Sequence, residues 1–286
     1  MENSVKQSIV DKTRLRMNSM GLSTNKASKL IGVNIAYLSN MLNGKWDSIS
    51  DDKWNLLSSW AGARVGWQIA PTHNMKRVAN LCASAQNLSI SYGISDEAGT
   101  GKSAGLRRYA QENSNVVYVE CDEYWSKRDL VENILRALGR EPSGNVSSMI
   151  DKIIYILKSM EKPLVIFDEA DSLRDGVFGL FKTLYNKTEN SCGFVLAGGL
   201  FFRERLRKGC NKNKQSYKEI YSRIGGELKQ LKPLQVEDVE AICLNNGVQQ
   251  SELGMVISKM KNSKDLRVIK SVIEEHLLKG NVRKAA

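Results

Sequence analysis

The sequence predicts an α/β protein with a parallel-sheet core, preceded by a small helical segment and followed by another. Three observations carry this. A strand-like run at 88–95 leads through a glycine-rich turn into a helical pattern at 104–112. A second apolar strand, 163–168, ends in Asp168-Glu169. Outside these, 24–42 and 234–279 show helical periodicity, with glycines as punctuation.

Composition sets the limits. The chain has 286 residues, of which 42% are hydrophobic and 26% charged, enough to bury a core and unlike a disordered or fibrous chain. The longest nearly apolar run, Gly193–Phe202, is far short of the roughly 20 residues that span a bilayer. Met1–Lys6 lacks an apolar signal core, so a cytoplasmic protein without membrane contact is expected. Five scattered cysteines without a Cys-x-x-Cys pair argue against a disulfide framework or a structural zinc site.

The 42 Lys and Arg outnumber 31 Asp and Glu, for a net charge of +11. Divided at two apparent boundaries, residues 1–62 carry +3, 63–230 carry +6 and 231–286 carry +2. Between 203 and 218, Arg203, Arg205, Arg207, Lys208, Lys212, Lys214 and Lys218 face only Glu204, so this stretch accounts for all of the middle excess. Its polar core, 208–216, reads as a mobile loop.

The first segment opens on a pair of short helices. Ala27, Leu30 and Ile31 share one helical face, Gly32 stands where a left-handed cap ends the helix, and Asn34 can cap the next. Leu38, Met41 and Leu42 then point inward. This leaves Asn34, Tyr37, Ser39 and Asn40 outward, with groups able to hydrogen-bond bases or phosphates. The Ala-x4-Gly-Val-x4-Leu-Ser spacing resembles the helix-turn-helix of phage repressors, which implies DNA contact; a helical domain that binds protein is the competing reading. Trp46, Trp54, Trp60 and Trp67 read as core anchors.

The middle segment carries the chemistry. In Asp96-Glu-Ala-Gly-Thr-Gly-Lys-Ser103, Gly99 and Gly101 let backbone N–H groups of Ala98–Ser103 wrap phosphates. Lys102 can reach the β- and γ-phosphates of ATP, and the Ser103 hydroxyl can ligate Mg²⁺. The usual pattern has glycine where Asp96 stands. Asp96 either repels phosphate or caps a backbone turn away from it. Asp168, ending its strand where ligands collect in open α/β sheets, suits Mg²⁺, and Glu169 suits a general base for the attacking water. The intervening chain holds one strand, 116–121, and helices near 127–138 and 146–160.

Together these residues resemble the AAA+ ATPases over about 65–280. More narrowly, the chain is similar to the transposon target-selection ATPases, the family of the phage Mu B transposition protein. The order carries this: a repressor-like helix-turn-helix domain (1–62), a short AAA+ core (63–230) containing Phe194-Val-Leu-Ala-Gly-Gly199 and Ser222-Arg-Ile-Gly225, and a small helical lid (231–286).

The resemblance implies an ATPase that assembles as ATP-dependent filaments or rings on double-stranded DNA. It would hydrolyse ATP slowly, with stimulation by DNA, and deliver target DNA to a DDE transposase. Arg223 matches the arginine that acts on a neighbouring subunit's nucleotide, against a local pairing with Glu219. Arg267, in Asp265-Leu-Arg267, matches the sensor arginine that contacts nucleotide in cis. Gly199 stands at the first sensor position and offers no side chain. Basic residues lining the filament would contact DNA, with Lys127, Arg128 and the 203–218 stretch (Arg203, Arg205, Lys208) as candidates. That stretch is alternatively a site for the transposase or an adjacent subunit. Two other functions share these motifs: a helicase-loader ATPase, and a sequence-specific DNA-binding regulator switched by ATP.

Overall fold

A computed structural model describes residues 3–47, 49–61, 67–260 and 263–283. The chain divides into two compact units, 1–72 together with 234–286, and 73–233. The terminal segments that the sequence separates into two domains thus fall in one unit, and the boundary drawn at 62/63 touches residues outside the described ones.

The first unit begins with α1 (Asn3–Ser19), α2 (Thr24–Ile31), α3 (Ile35–Leu42) and α4 (Asp51–Ala61). Ser23 caps α2 by accepting from the Lys26 N–H. Gly32 ends α2 at φ 81°, its N–H on the Ser28 carbonyl, a conformation that glycine adopts without a Cβ penalty. Asn34 then caps α3 through the Ala36 N–H at 2.8 Å. Ala27, Ile31, Leu38, Met41 and Trp54 pack into one apolar cluster. Trp46 stands edge-on to Trp54, and its indole N–H donates to the Met41 carbonyl at 2.8 Å. Leu30, expected inside, is exposed. Ser28 takes the buried position instead, its hydroxyl satisfied by the Asn25 carbonyl at 2.9 Å.

The second unit alternates strand and helix: α5 (His73–Leu88), β1 (Ser91–Ser95), α6 (Lys102–Glu112), β2 (Val116–Glu120), α7 (Lys127–Ala137), α8 (Val146–Ser159) and β3 (Leu164–Asp168). After a 3₁₀ turn over Ala170–Ser172 come α9 (Asp175–Phe178), α10 (Leu180–Thr188), β4 (Gly193–Gly198), α11 (Leu200–Asn211), α12 (Gln215–Arg223) and β5 (Leu228–Lys229). The strands form one five-stranded parallel sheet in the order β2-β3-β4-β1-β5. β3 and β4 are buried along their whole length, as parallel strands covered on both faces must be. Ile94, Leu106, Ile166 and Val195 pack on one side of the sheet. Val119, Phe167, Leu196, Phe178 and Phe202 pack on the other.

One expectation fails here. The polar core 208–216 of the basic stretch, read as a mobile loop, lies mostly in α11 and α12, with only the short turn 212–214 between them. Composition suggests a loop, but tertiary packing supplies the helices. Leu206 and Tyr217 are buried, and a Cβ on Gly209 would collide with the Tyr217 ring, so glycine lets the two helices touch.

The first unit is completed by α13 (Val236–Asn245), α14 (Leu253–Lys259) and α15 (Leu266–Arg283). Ile242, Val256, Ile269 and Ile273 pack there with Ala70 and Trp67. Among the described residues no helix is long and apolar enough to cross a membrane.

Candidate nucleotide site

The carboxyl ends of β1 and β3, separated by β4, bring the predicted site residues together. The turn after β1 places Gly99 at φ 74° and Gly101 at φ 92° and runs directly into α6. Among the described residues no side chain caps that helix N-terminus, so its leading N–H groups are left for an anion.

Lys102 is the first residue of α6 and only 7% exposed. Its Nζ donates to the carbonyls of Asp96 at 2.8 Å and Glu97 at 2.6 Å, and lies 3.4 Å from Thr100 Oγ1. Among the described residues no carboxylate forms an ion pair with it. Burial lowers its pKa, against the upward pull of Asp96, Glu169, Asp168 and Asp171. A buried ammonium without a paired anion, at an uncapped helix end, fits a phosphate group.

Asp96 resolves the departure from the usual loop pattern. Its Oδ1 accepts the Glu97 N–H at 2.7 Å and its Oδ2 accepts the Leu231 N–H at 2.6 Å. The carboxylate therefore caps backbone rather than facing the helix end.

Asp168 closes β3 and is 1% exposed. Its Oδ1 accepts the Glu169 N–H at 3.0 Å, and its Oδ2 accepts the Tyr118 hydroxyl at 2.8 Å. Burial and the neighbouring Asp168 push the Tyr118 phenol up. Glu169 holds a left-handed backbone, φ 51°, which turns the chain sharply off the strand. Burial, then Asp168 and Asp171, raise its pKa, the direction that suits a base working near neutrality. Ser103 and Asp168 offer hard oxygen donors. Among the described residues no group of three His, Cys, Asp or Glu could hold a metal alone, so Mg²⁺ here would complete its shell with phosphate and water.

Gly198 ends β4 and Gly199 follows it. The Gly199 N–H faces the Asp171 carboxylate at 3.3 and 3.4 Å, and its carbonyl accepts from Ser95 Oγ at 2.7 Å. A Cβ on Gly198 would strike both Asp171 Oδ1 and Phe202. Gly198 is thus required by the approach of Asp171, three residues beyond Asp168 and without a role in the sequence reading, whereas a Cβ on Gly199 would meet Asp171 only at ordinary contact distance.

The other candidates are placed variously. Arg223, at the end of α12, is 20% exposed and held locally. Its Nε and Nη2 donate to Asn186 Oδ1 at 3.1 and 2.7 Å, and Glu219 lies 4.0 Å away. Arg267 belongs to the first unit, where its backbone N–H donates to Asp265 Oδ1 at 2.8 Å.

Arg205 is 12% exposed and is not part of a basic surface. It donates to the Asp171 carbonyl, Asp175 Oδ1 and Tyr217 Oη, each at 2.8–2.9 Å, and lies over the Phe178 ring. Arg203 is half-buried, with Nη2 3.3 Å from the Ser95 carbonyl. Lys208 is exposed and pairs with Glu204 at 3.3 Å. Arg128 pairs with Glu132 at 2.7 Å, whereas Lys127 is exposed at the start of α7. In the first unit, Asn34 spends its side chain on the α3 cap, Tyr37 is half-buried with Lys53 Nζ 4.3 Å above its ring, and Asn40 is half-buried.

Comparison with curated proteins finds no match. Among solved structures, PCH-2 of C. elegans is similar, with 14% identity, a TM-score of 0.30, and coverage of 71% of this chain and 67% of that one. Residues 94–206 match the family model described as the AAA domain, a segment that runs from the end of β1 into α11 and takes in Lys102, Asp168, Glu169 and the Gly198-Gly199 turn.

Proposed function

We propose that this chain is a Mg²⁺-dependent ATPase that assembles with copies of itself on double-stranded DNA and delivers that DNA to a DDE transposase. The observation that carries the ATPase reading is the buried Lys102 ammonium, without an ion-pair partner among the described residues, facing the carboxylates at the end of β3. On this reading Lys102 leaves the loop carbonyls for phosphate, and the Gly99–Ser103 backbone wraps the phosphate chain. Ser103 and Asp168 hold Mg²⁺, which when bound neutralises charge developing on the phosphates. Glu169 takes the proton of the attacking water. Arg223 of a neighbouring copy completes the site.

The DNA reading draws support from the basic helix pair. A groove of about 420 Å³ runs between the 171–175 segment and α11–α12, with Phe201, Lys208, Lys212 and Lys214 along it. Arg174 and Lys212, also on the groove, have no acidic partner among the described residues. Cations of this kind neutralise phosphates without reading sequence. The α2–α3 pair in the first unit offers a second DNA-facing element.

Duplex binding measured across a salt series with ATP and with ADP tests this. Binding should require ATP, and Arg174→Ala with Lys212→Ala should flatten the log K against log salt slope by about 2. Equal binding with both nucleotides, or an unchanged slope, contradicts the reading.

A further inference from the structure

Asp168 is held from both sides, and one of its holders lies outside every motif. Tyr118 stands on β2, paired in register with Ile166 of β3, and its hydroxyl reaches Asp168 Oδ2 at 2.8 Å. The same hydroxyl is 3.4 Å from Arg107 Nε, while Arg107 Nη2 reaches Glu120 Oε2 at 3.2 Å. Arg107 lies on α6, the helix that opens with Lys102 and Ser103.

Donor chemistry fixes the direction of this chain of bonds. A guanidinium only donates, so the Tyr118 oxygen accepts from Arg107. The single phenol proton is then directed at Asp168. A buried carboxylate that receives an O–H on one oxygen and an N–H on the other cannot rotate freely, which fixes its orientation for taking a divalent cation.

We propose that Tyr118, oriented by Arg107, is a positioning residue that sets the Mg²⁺ affinity of the nucleotide site through Asp168. This rests on the nucleotide reading above. The phosphate chain is held by different groups, Lys102 and the loop N–H groups, so Tyr118 acts on the metal-dependent part of binding alone.

The test is a fluorescent-ATP titration, with EDTA and then across a Mg²⁺ series, on the full chain. Tyr118→Phe should raise the half-saturating Mg²⁺ concentration about 10-fold or more, the usual cost of losing a partner behind a metal ligand. Its Mg²⁺-free affinity should stay within about twofold of wild type, because the phosphate-holding groups are untouched. Arg107→Gln, at a half-exposed position that tolerates change, should shift the Mg²⁺ curve in the same direction by less. A melting curve for each variant checks folding.

An unchanged Mg²⁺ curve in Tyr118→Phe overturns the inference. So does an equal loss of affinity with and without Mg²⁺, which would mark a merely structural residue. If the wild-type chain binds no nucleotide in either condition, the ATPase reading fails first, and the two failures are distinct.

Discussion

Asp96 Oδ2 accepts the backbone N–H of Leu231 at 2.6 Å, tying the phosphate loop to the chain just after β5. With Oδ1 on the Glu97 N–H, one carboxylate serves two backbone donors far apart in the sequence of the second unit. Asp96→Ala leaves the part-buried Leu231 N–H without its acceptor, at a cost of about 1–3 kcal/mol, while the exposed Glu97 N–H can turn to water. A melting temperature lower by several degrees is expected, with ATP affinity changed by no more than about threefold, since the helix end and Lys102 remain. Calorimetry reads both. An unchanged melting temperature, or tighter ATP binding as expected for relief of a repulsive charge, would show that the tie does not matter.

Arg223 presents a sharper choice. It is anchored on Asn186 within its own chain, yet the proposed function asks it to act on a neighbour's nucleotide. Arg223→Ala should leave ATP affinity within about threefold of wild type and slow hydrolysis about 10³-fold on DNA, as for loss of an arginine acting in trans. Thermal stability should fall by no more than a few degrees. Phosphate release and melting curves together decide. Wild-type turnover with a marked loss of stability would make Arg223 a local strut.

The acidic limb of stability should report Asp175. Hydrogen bonds from Lys214 and Tyr217, and then Arg205, hold its carboxyl well below the usual range. A depressed native pKa stabilises the fold fully above the ordinary carboxylate value, and the contribution is lost as pH falls through the native one. The melting-temperature gap between wild type and Asp175→Asn should therefore be constant from neutrality down to about pH 4 and narrow progressively as pH falls below it. A gap that stays constant below that pH would mean the bonds act independently of the charge.

Much of this was legible where local rules and tertiary packing agree. Gly32 and Asn34 announce a helix end and a helix start because a left-handed cap and an Asx acceptor are local devices. The run ending in Asp168 reads as a strand because a parallel strand buried on both faces is continuously apolar. Hidden features depend on distant partners. Nothing near Asp96 in sequence points to Leu231, 135 residues away. Tyr118 looks like an ordinary alternating strand residue until β3 lies beside it. The core of the basic stretch, 208–216, looks like a loop because polar and basic residues dominate its composition. Yet Arg205 is spent inside, where Asp175, Tyr217 and the Asp171 carbonyl receive it. The difference between surface charge and internal clamp lies in partners that only folding assembles.

Under the proposed function, ATP at Lys102 drives copies of this chain to assemble on DNA. Electron microscopy of the purified protein with duplex DNA, with ATP and then with ADP, tests it most directly. Ordered filaments or rings on DNA are expected with ATP, none with ADP and none with Lys102→Ala, and assemblies that outlast wild type with Glu169→Gln. Bare DNA under ATP, or the same assemblies with Lys102→Ala, would contradict it.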